Sequence, residues 1–169
     1  YGIASKQTDL LNGISFHNLG YKGEGIHIAV IDGGFSGVDT IHAFRSLIEE
    51  NRLLGTKDFV EPKTNRIFTV SGHGTSVLST MAADLPDLMV GTAPKASYWL
   101  IRSEDTRSEY RVEEAYWVMA AEFADSVGAD IINSSLGYSL FMDSLMNYSY
   151  EDLNGDRSLV SRAADKAFK

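Results

Sequence analysis

Two side chains in this sequence have the type and the setting for proton chemistry. Asp32 closes the apolar run Ile26 to Ile31 (I-H-I-A-V-I) and is followed by Gly33 and Gly34, and His73 sits in the turn Ser71-Gly72-His73-Gly74-Thr75. At the start of a helix the imidazole lies near positive backbone dipoles that favour its neutral, basic form, so a carboxylate and a basic ring then share one rim. Polar segments end two further apolar runs in the same way: Glu104-Asp105-Thr106 after Ala96 to Ile101, and Ser135-Leu136-Gly137 after Ala129 to Ser134. Each has an ordinary alternative. An Asp before Gly-Gly is also a turn or capping residue, a His between glycines is also a surface residue, and serines beside a glycine are also turn formers.

In open α/β sheets ligands collect at the carboxyl ends of strands, so these run ends must be brought to one rim. Ile26 to Ile31 is short, β-branched and flanked by glycines, which predicts a buried parallel strand. Ala96 to Ile101 predicts a second strand and Ala129 to Ser134 a third. Between them, from Ser108 onward, Val112, Ala115, Tyr116, Met119, Ala120 and Phe123 recur at three- and four-residue spacing, and Gly128 stands where a helix C-terminal glycine belongs. Strand, helix and strand within about forty residues have the spacing of a right-handed crossover, so the sheet is expected to be mostly parallel. A helix is expected to start near His73, carrying Val77, Leu78, Met81 and Ala82. A last helix is expected to take Asp156 as N-cap and to run its stripe of Leu159, Val160, Ala163, Ala164, Ala167 and Phe168 up to Lys169. That stripe calls for a sheet beneath it and a strand after it, so residues 1–169 read as part of one domain cut in mid-fold. Tyr98, Trp99, Tyr116 and Trp117 are read as core, and Glu109, Glu113 and Glu114 as a solvated helix face.

Composition narrows the function classes. The 169 residues are 44% hydrophobic and 22% charged, enough for one globular core. No run approaches the roughly 18 apolar residues of a membrane-spanning helix. With 15 basic against 23 acidic residues the formal charge is −8, so nucleic acid is not an expected partner. The absence of cysteine removes disulfides, thiolate nucleophiles and Cys-based zinc sites together. His17, His27 and His42 have no ligand-like spacing, so no metal centre is expected from them. The chain opens on Tyr1 with no apolar leader, which is read as upstream sequence having been removed.

Taken in order, I-A-V-I-D-G-G (Ile28 to Gly34), S-G-H-G-T-S-V (Ser71 to Val77), V-G-T-A-P-K-A (Val90 to Ala96) and I-I-N-S-S-L-G (Ile131 to Gly137) resemble the subtilisin-like serine proteases. The resemblance extends from about Tyr1 to the end, and Asp32 precedes His73 by 41 residues (73 − 32), in the order of that family's triad. It implies a three-layer α/β fold with a mostly parallel sheet. It also implies that Asp32 is the triad aspartate and His73 the general base, acting on a peptide or protein substrate. Ser135, Leu136 and Gly137 resemble the segment lining the primary specificity pocket, and Glu104, Asp105 and Thr106 the opposite edge on which an extended peptide adds as a strand. With those acids at that edge and a charge of −8, basic residues near the scissile bond are expected to be favoured. The resemblance further implies a secreted or cell-envelope location. It admits a structural calcium, with Asp39, Asp84 and Asp87 as candidate ligands, and no cofactor for catalysis.

The chain departs from the family at Gly33, where Ser or Thr is usual, and at Ser76, where His is frequent. It also lacks the G-T-S nucleophile motif and the A-G-N segment with the oxyanion-hole Asn. Both lie after a helix like the last one here, so the expected arrangement is the N-terminal part of the catalytic domain, its C-terminal part being a necessary partner. The chain alone is then expected to be inactive. The competing reading is a non-catalytic module that keeps the fold to bind peptides or proteins. A phosphotransferase with Asp32 as nucleophile is disfavoured, because Gly34 stands where a second acid is needed.

Overall fold

The computed structural model describes residues 1–64 and 66–168, so Lys169 lies outside the described residues. The elements are α1 (Ser5–Leu10), α2 (Gly13–Asn18), β1 (His27–Asp32), α3 (Arg45–Glu49), β2 (Leu53–Asp58), α4 (His73–Ala82), β3 (Asp84–Leu85), β4 (Met89–Val90), β5 (Ser97–Arg102), α5 (Val112–Ser126), β6 (Ile131–Ser134) and α6 (Leu159–Ala167). Strands β2, β5, β1 and β6 form, in that spatial order, a four-stranded sheet in which every pairing is parallel. The three expected strands are present, shifted by one or two residues at their ends. β2 is an addition to the expected set, since Gly55 and Lys57 interrupt any apolar run there.

Alternation along the strands builds two cores. Ile28, Val30, Tyr98 and Leu100 point to one face and pack with Phe35, Leu47, Leu78 and Ala82 from the α3–α4 side. Ala29, Ile31 and Ile101 point to the other and pack with Trp117, Ala120 and Ala124 of α5. Helices on both faces of a parallel sheet make three layers, the arrangement such buried strands need. Each fully buried Ile, Leu or Val contributes about 1.5 to 3 kcal/mol, so these two clusters hold the sheet rim in place.

The buried face of α5 differs from the expected one. It carries Glu113, Glu114, Trp117, Ala120, Ala121 and Ala124, while Val112 and Met119 are about half exposed, so the stripe lies one residue further along. Glu113 and Glu114 are therefore not a solvated face; they are 1% and 2% exposed. Their charges are compensated by donors. Glu113 accepts from the Asp105 and Tyr110 amides, at 2.9 and 3.0 Å. Glu114 accepts from the Tyr148 hydroxyl at 2.7 Å, the Ser158 hydroxyl at 3.0 Å and the Val160 amide at 3.3 Å. Of the four expected core aromatics, Tyr98 and Trp117 are buried and Trp99 packs against the second core, but Tyr116 is only half-buried.

The same contacts explain the start of α6. Its N-cap is Ser158 and not Asp156: the Ser158 hydroxyl accepts from the Ser161 amide while donating to Glu114. Helix α6 packs along α5, with Val160 and Ala163 against the second core and Leu159 and Phe168 left 41% and 91% exposed.

Backbone hydrogen bonds join the end of β1 to the start of α4. The amides of Phe35, Ser36 and Gly37 donate to the carbonyls of Ile67, Ser71 and Phe68 at 2.8, 2.9 and 3.0 Å, and the Thr75 hydroxyl donates to the Ser36 carbonyl at 2.8 Å. The first turn of α4 is thereby pressed so closely on β1 that a Cβ on Gly74 would sit 2.5 Å from the Gly34 carbonyl oxygen and 2.9 Å from the Asp32 Cβ.

Two outcomes are expected. Gly74→Ala should lower stability by about 2 to 3 kcal/mol, because backbone and not a flexible side chain must move; an unchanged thermal midpoint would show that the contact is not as close as described. Glu114→Ala should cost about 2 to 4 kcal/mol by leaving the Tyr148 and Ser158 hydroxyls unpaired. Its check is a denaturant titration, and a loss within about 0.5 kcal/mol would contradict the bridging role.

Candidate active site

The carboxyl end of β1 delivers Asp32 to the rim with no solvent-exposed surface. The Gly33 amide donates to its Oδ1 at 2.7 Å. His73, the first residue of α4, places Nδ1 2.9 Å from both Oδ1 and Oδ2 of Asp32. The carboxylate thus brackets one ring nitrogen, and with Nδ1–H as donor the lone pair sits on Nε2. The His73 side chain remains 56% exposed, so the pair is buried at one end and open at the other. Ser71 supports the turn: its hydroxyl accepts from the His73 amide at 3.3 Å, and its own backbone is held left-handed at φ 40°. Such a conformation costs a non-glycine residue about 1 kcal/mol or more and persists where the surrounding bonds require it.

Asp32 and His73 open on a cleft of about 250 Å³ whose walls include Glu104 and Thr106 on one side and Ser135, Leu136 and Gly137 on the other. Ser71 and Glu109, which composition and spacing did not mark as site residues, line it as well. Asp105 stands apart, its carboxylate gripping the Arg107 guanidinium through two contacts of 2.7 Å. Those hydrogen bonds hold its pKa below the usual carboxylate range.

The Glu104–Thr106 edge is braced from beneath. Arg102, 2% exposed, donates to Asp58 at 3.0 Å and to the Glu104 carbonyl oxygen at 3.3 Å. Arg107 also reaches Glu61 at 3.1 Å. Glu113 receives the amides on both sides of the loop, and the Met142 amide donates to the Glu109 carbonyl at 2.9 Å, tying the segment after β6 to this edge. No sequence signal pointed to Arg102, Asp58 or Glu113: Arg102 and Asp58 meet across 44 positions of chain, and Glu113 reaches back to the loop before its own helix.

Charge at this wall is unusual. Burial pushes the Glu104 carboxyl up to about 7, with like charge from Glu109, Glu113 and Asp32 adding to the effect and the Tyr138 hydroxyl opposing it. Burial also raises Glu109 and Glu113. The Tyr138 hydroxyl lies close enough to Glu104 to affect its ionisation, yet closes no hydrogen bond of good geometry, and burial drives its own pKa upward.

Asp84 is engaged by Lys95 at 3.1 Å and by the Ser46 hydroxyl at 3.4 Å, and among the described residues no three metal-binding side chains converge. No helix is long and apolar enough to cross a membrane, again among the described residues.

The model of the Subtilase family matches residues 23–167. Subtilisin E of Bacillus subtilis (strain 168) is 32% identical over 139 residues, covering 81% of this chain and 32% of that protein. The major intracellular serine protease of the same strain is 32% identical over 126 residues, 70% of this chain and 36% of that protein. Among solved structures, MycP1 from Mycobacterium smegmatis shares the fold with a TM-score of 0.63 over 95% of this chain and 41% of that one, at 19% identity. The chain spans about a third of the length of the curated relatives it matches. Its ordered motifs, its parallel sheet between helices and the family match over most of its length together establish that this chain belongs to the Subtilase family.

Proposed function

We propose that this chain supplies the proton-handling pair of a serine endopeptidase, His73 as general base and Asp32 as its orienting carboxylate. The observation that carries this reading is the hold of a fully buried Asp32 on His73 Nδ1, 2.9 Å from each carboxylate oxygen, with the ring open to the cleft. Nε2 is then free to accept a proton. A serine hydroxyl from outside these 169 residues attacks the scissile carbonyl and passes its proton to Nε2. The ring returns that proton to the leaving amine, and water repeats the cycle to release the acyl group from the serine. Asp32 keeps the tautomer and stabilises the imidazolium throughout. Glu104 and Thr106 on one wall and Ser135 to Gly137 on the other are the edges between which an extended peptide lies.

The same reading makes the C-terminal part of the domain an obligatory partner, because nucleophile and oxyanion donors come from it. An extracytoplasmic location is proposed from the family resemblance.

The test uses a chromogenic peptide and a serine-directed phosphonate on this chain alone, on this chain mixed with the separately produced remainder, and on the full-length protein. Labelling and turnover are expected only in the last two. In the full-length protein His73→Ala should reduce turnover roughly a millionfold, the loss known from triad removal in subtilisin itself. Labelling of this chain alone would overturn the assignment of the nucleophile to the remainder. An inert full-length protein that still binds extended peptides would establish the non-catalytic module instead.

A further inference from the structure

The cleft that His73 lines is acidic. Among the described residues its lining includes the acids Asp32, Glu104 and Glu109 and no Lys or Arg. The nearby cations are engaged elsewhere. Arg107 holds Asp105 and Glu61, and Arg102 holds Asp58 and only the backbone carbonyl of Glu104. Asp105 therefore presents a neutralised charge, whereas the half-buried Glu104 carboxyl faces the cleft without an ion-pair partner among the described residues. The charged and titratable groups around it are Asp32 from β1, His73 from α4, Arg102 from β5, Glu109 from the following loop, Glu113 from α5 and Tyr138 from the segment after β6.

Building on the peptidase reading above, we propose that Glu104 is the specificity-determining residue of this cleft: its carboxylate takes the ammonium or guanidinium of a basic substrate side chain, and its protonated form takes a neutral one. A bound cation would cancel the repulsion that Glu104 suffers from Asp32, Glu109 and Glu113. Cation binding and proton release at Glu104 are therefore linked, each favouring the other. The pKa of about 7 that burial gives this carboxyl puts the exchange at neutral pH. A substrate lysine stays protonated across that range, since its own pKa is about 10.4. Below neutrality the preference for it should fade, and above neutrality it should be full. Any change of activity common to both peptides cancels in a ratio of two substrates.

The experiment measures kcat/KM of the full-length protein between pH 5.5 and 8.5 on paired peptides that differ only by Lys or norleucine, walked through the four positions before the scissile bond. At one position the Lys-to-norleucine ratio should rise about five- to tenfold with a midpoint near 7, and 0.5 M salt should reduce it. Glu104→Gln should flatten that ratio across the pH range, whereas Asp105→Asn should leave its rise in place. A flat ratio at all four positions in the wild-type protein, with both peptides cleaved, would overturn the proposal and leave the peptidase reading intact. A ratio abolished by Glu109→Gln but kept by Glu104→Gln would overturn it in favour of Glu109. Failure to cleave either peptide or to react with the phosphonate would overturn the peptidase reading, and this proposal with it. The wild-type profile decides the pH dependence even where a variant does not fold.

Discussion

A carboxyl group sealed from water must find donors or cost several kcal/mol, and Asp32 is sealed completely. Its needs are met by the next amide in the chain and by the ring of a residue 41 positions later. The ring can be there only if α4 begins at His73, and α4 can begin there only if the backbone between Ile67 and Ser71 runs alongside residues 35–37. The hydrogen bonds across that seam, the left-handed Ser71 and the bare Gly74 backbone against β1 are all consequences of the same requirement. The site is stiff at its buried end for this reason. Its open part is the exposed half of the imidazole.

The opposite wall follows a different rule. Two arginines lie within reach of an acidic cleft, yet both turn away to hold loops together. Arg102, Asp58 and Glu61 form a buried ionic knot, and Arg107 extends it to the surface through Asp105. The positive charge needed for structural cohesion is therefore withdrawn from the cleft, which leaves Glu104 and Glu109 there without an ion-pair partner among the described residues. A net charge of −8 only describes the whole chain; the local field is decided by which acids have a partner.

What could be read from the sequence follows from how far the deciding interactions reach. β1, β5, β6 and the start of α4 were legible because short apolar runs and glycine turns are local signals. Gly128, with φ 72°, ends α5 as its position indicated. The buried face of α5 was misplaced because its two glutamates are satisfied by donors from Asp105, Tyr110, Tyr148 and Ser158, all of which lie outside the helix. The cap of α6 moved from Asp156 to Ser158 through the same long-range bond. Glu109 and Ser71 entered the cleft for an equally non-local reason, as the loops that carry them are set by residues on other strands. Residue type and position put Asp32 and His73 on one rim, and the resemblance in motif order gave the two their separate roles, since either residue alone has a common structural explanation.

The spatial order of the sheet also has a consequence for biosynthesis. β1 and β2 leave the ribosome first, but β5, the strand that lies between them, is encoded only from Ser97 onward. From the completion of β1 at Asp32 to the start of β5 there are 65 residues (97 − 32), or about 3 to 13 s of synthesis at about 5 to 20 residues per second. For that interval the apolar β1 has no neighbour with which to form a ladder, and from Asp58 onward β2 waits beside it. The nascent chain must remain unpaired without aggregating until its middle strand arrives, so the danger of misassembly is concentrated in a defined window of translation.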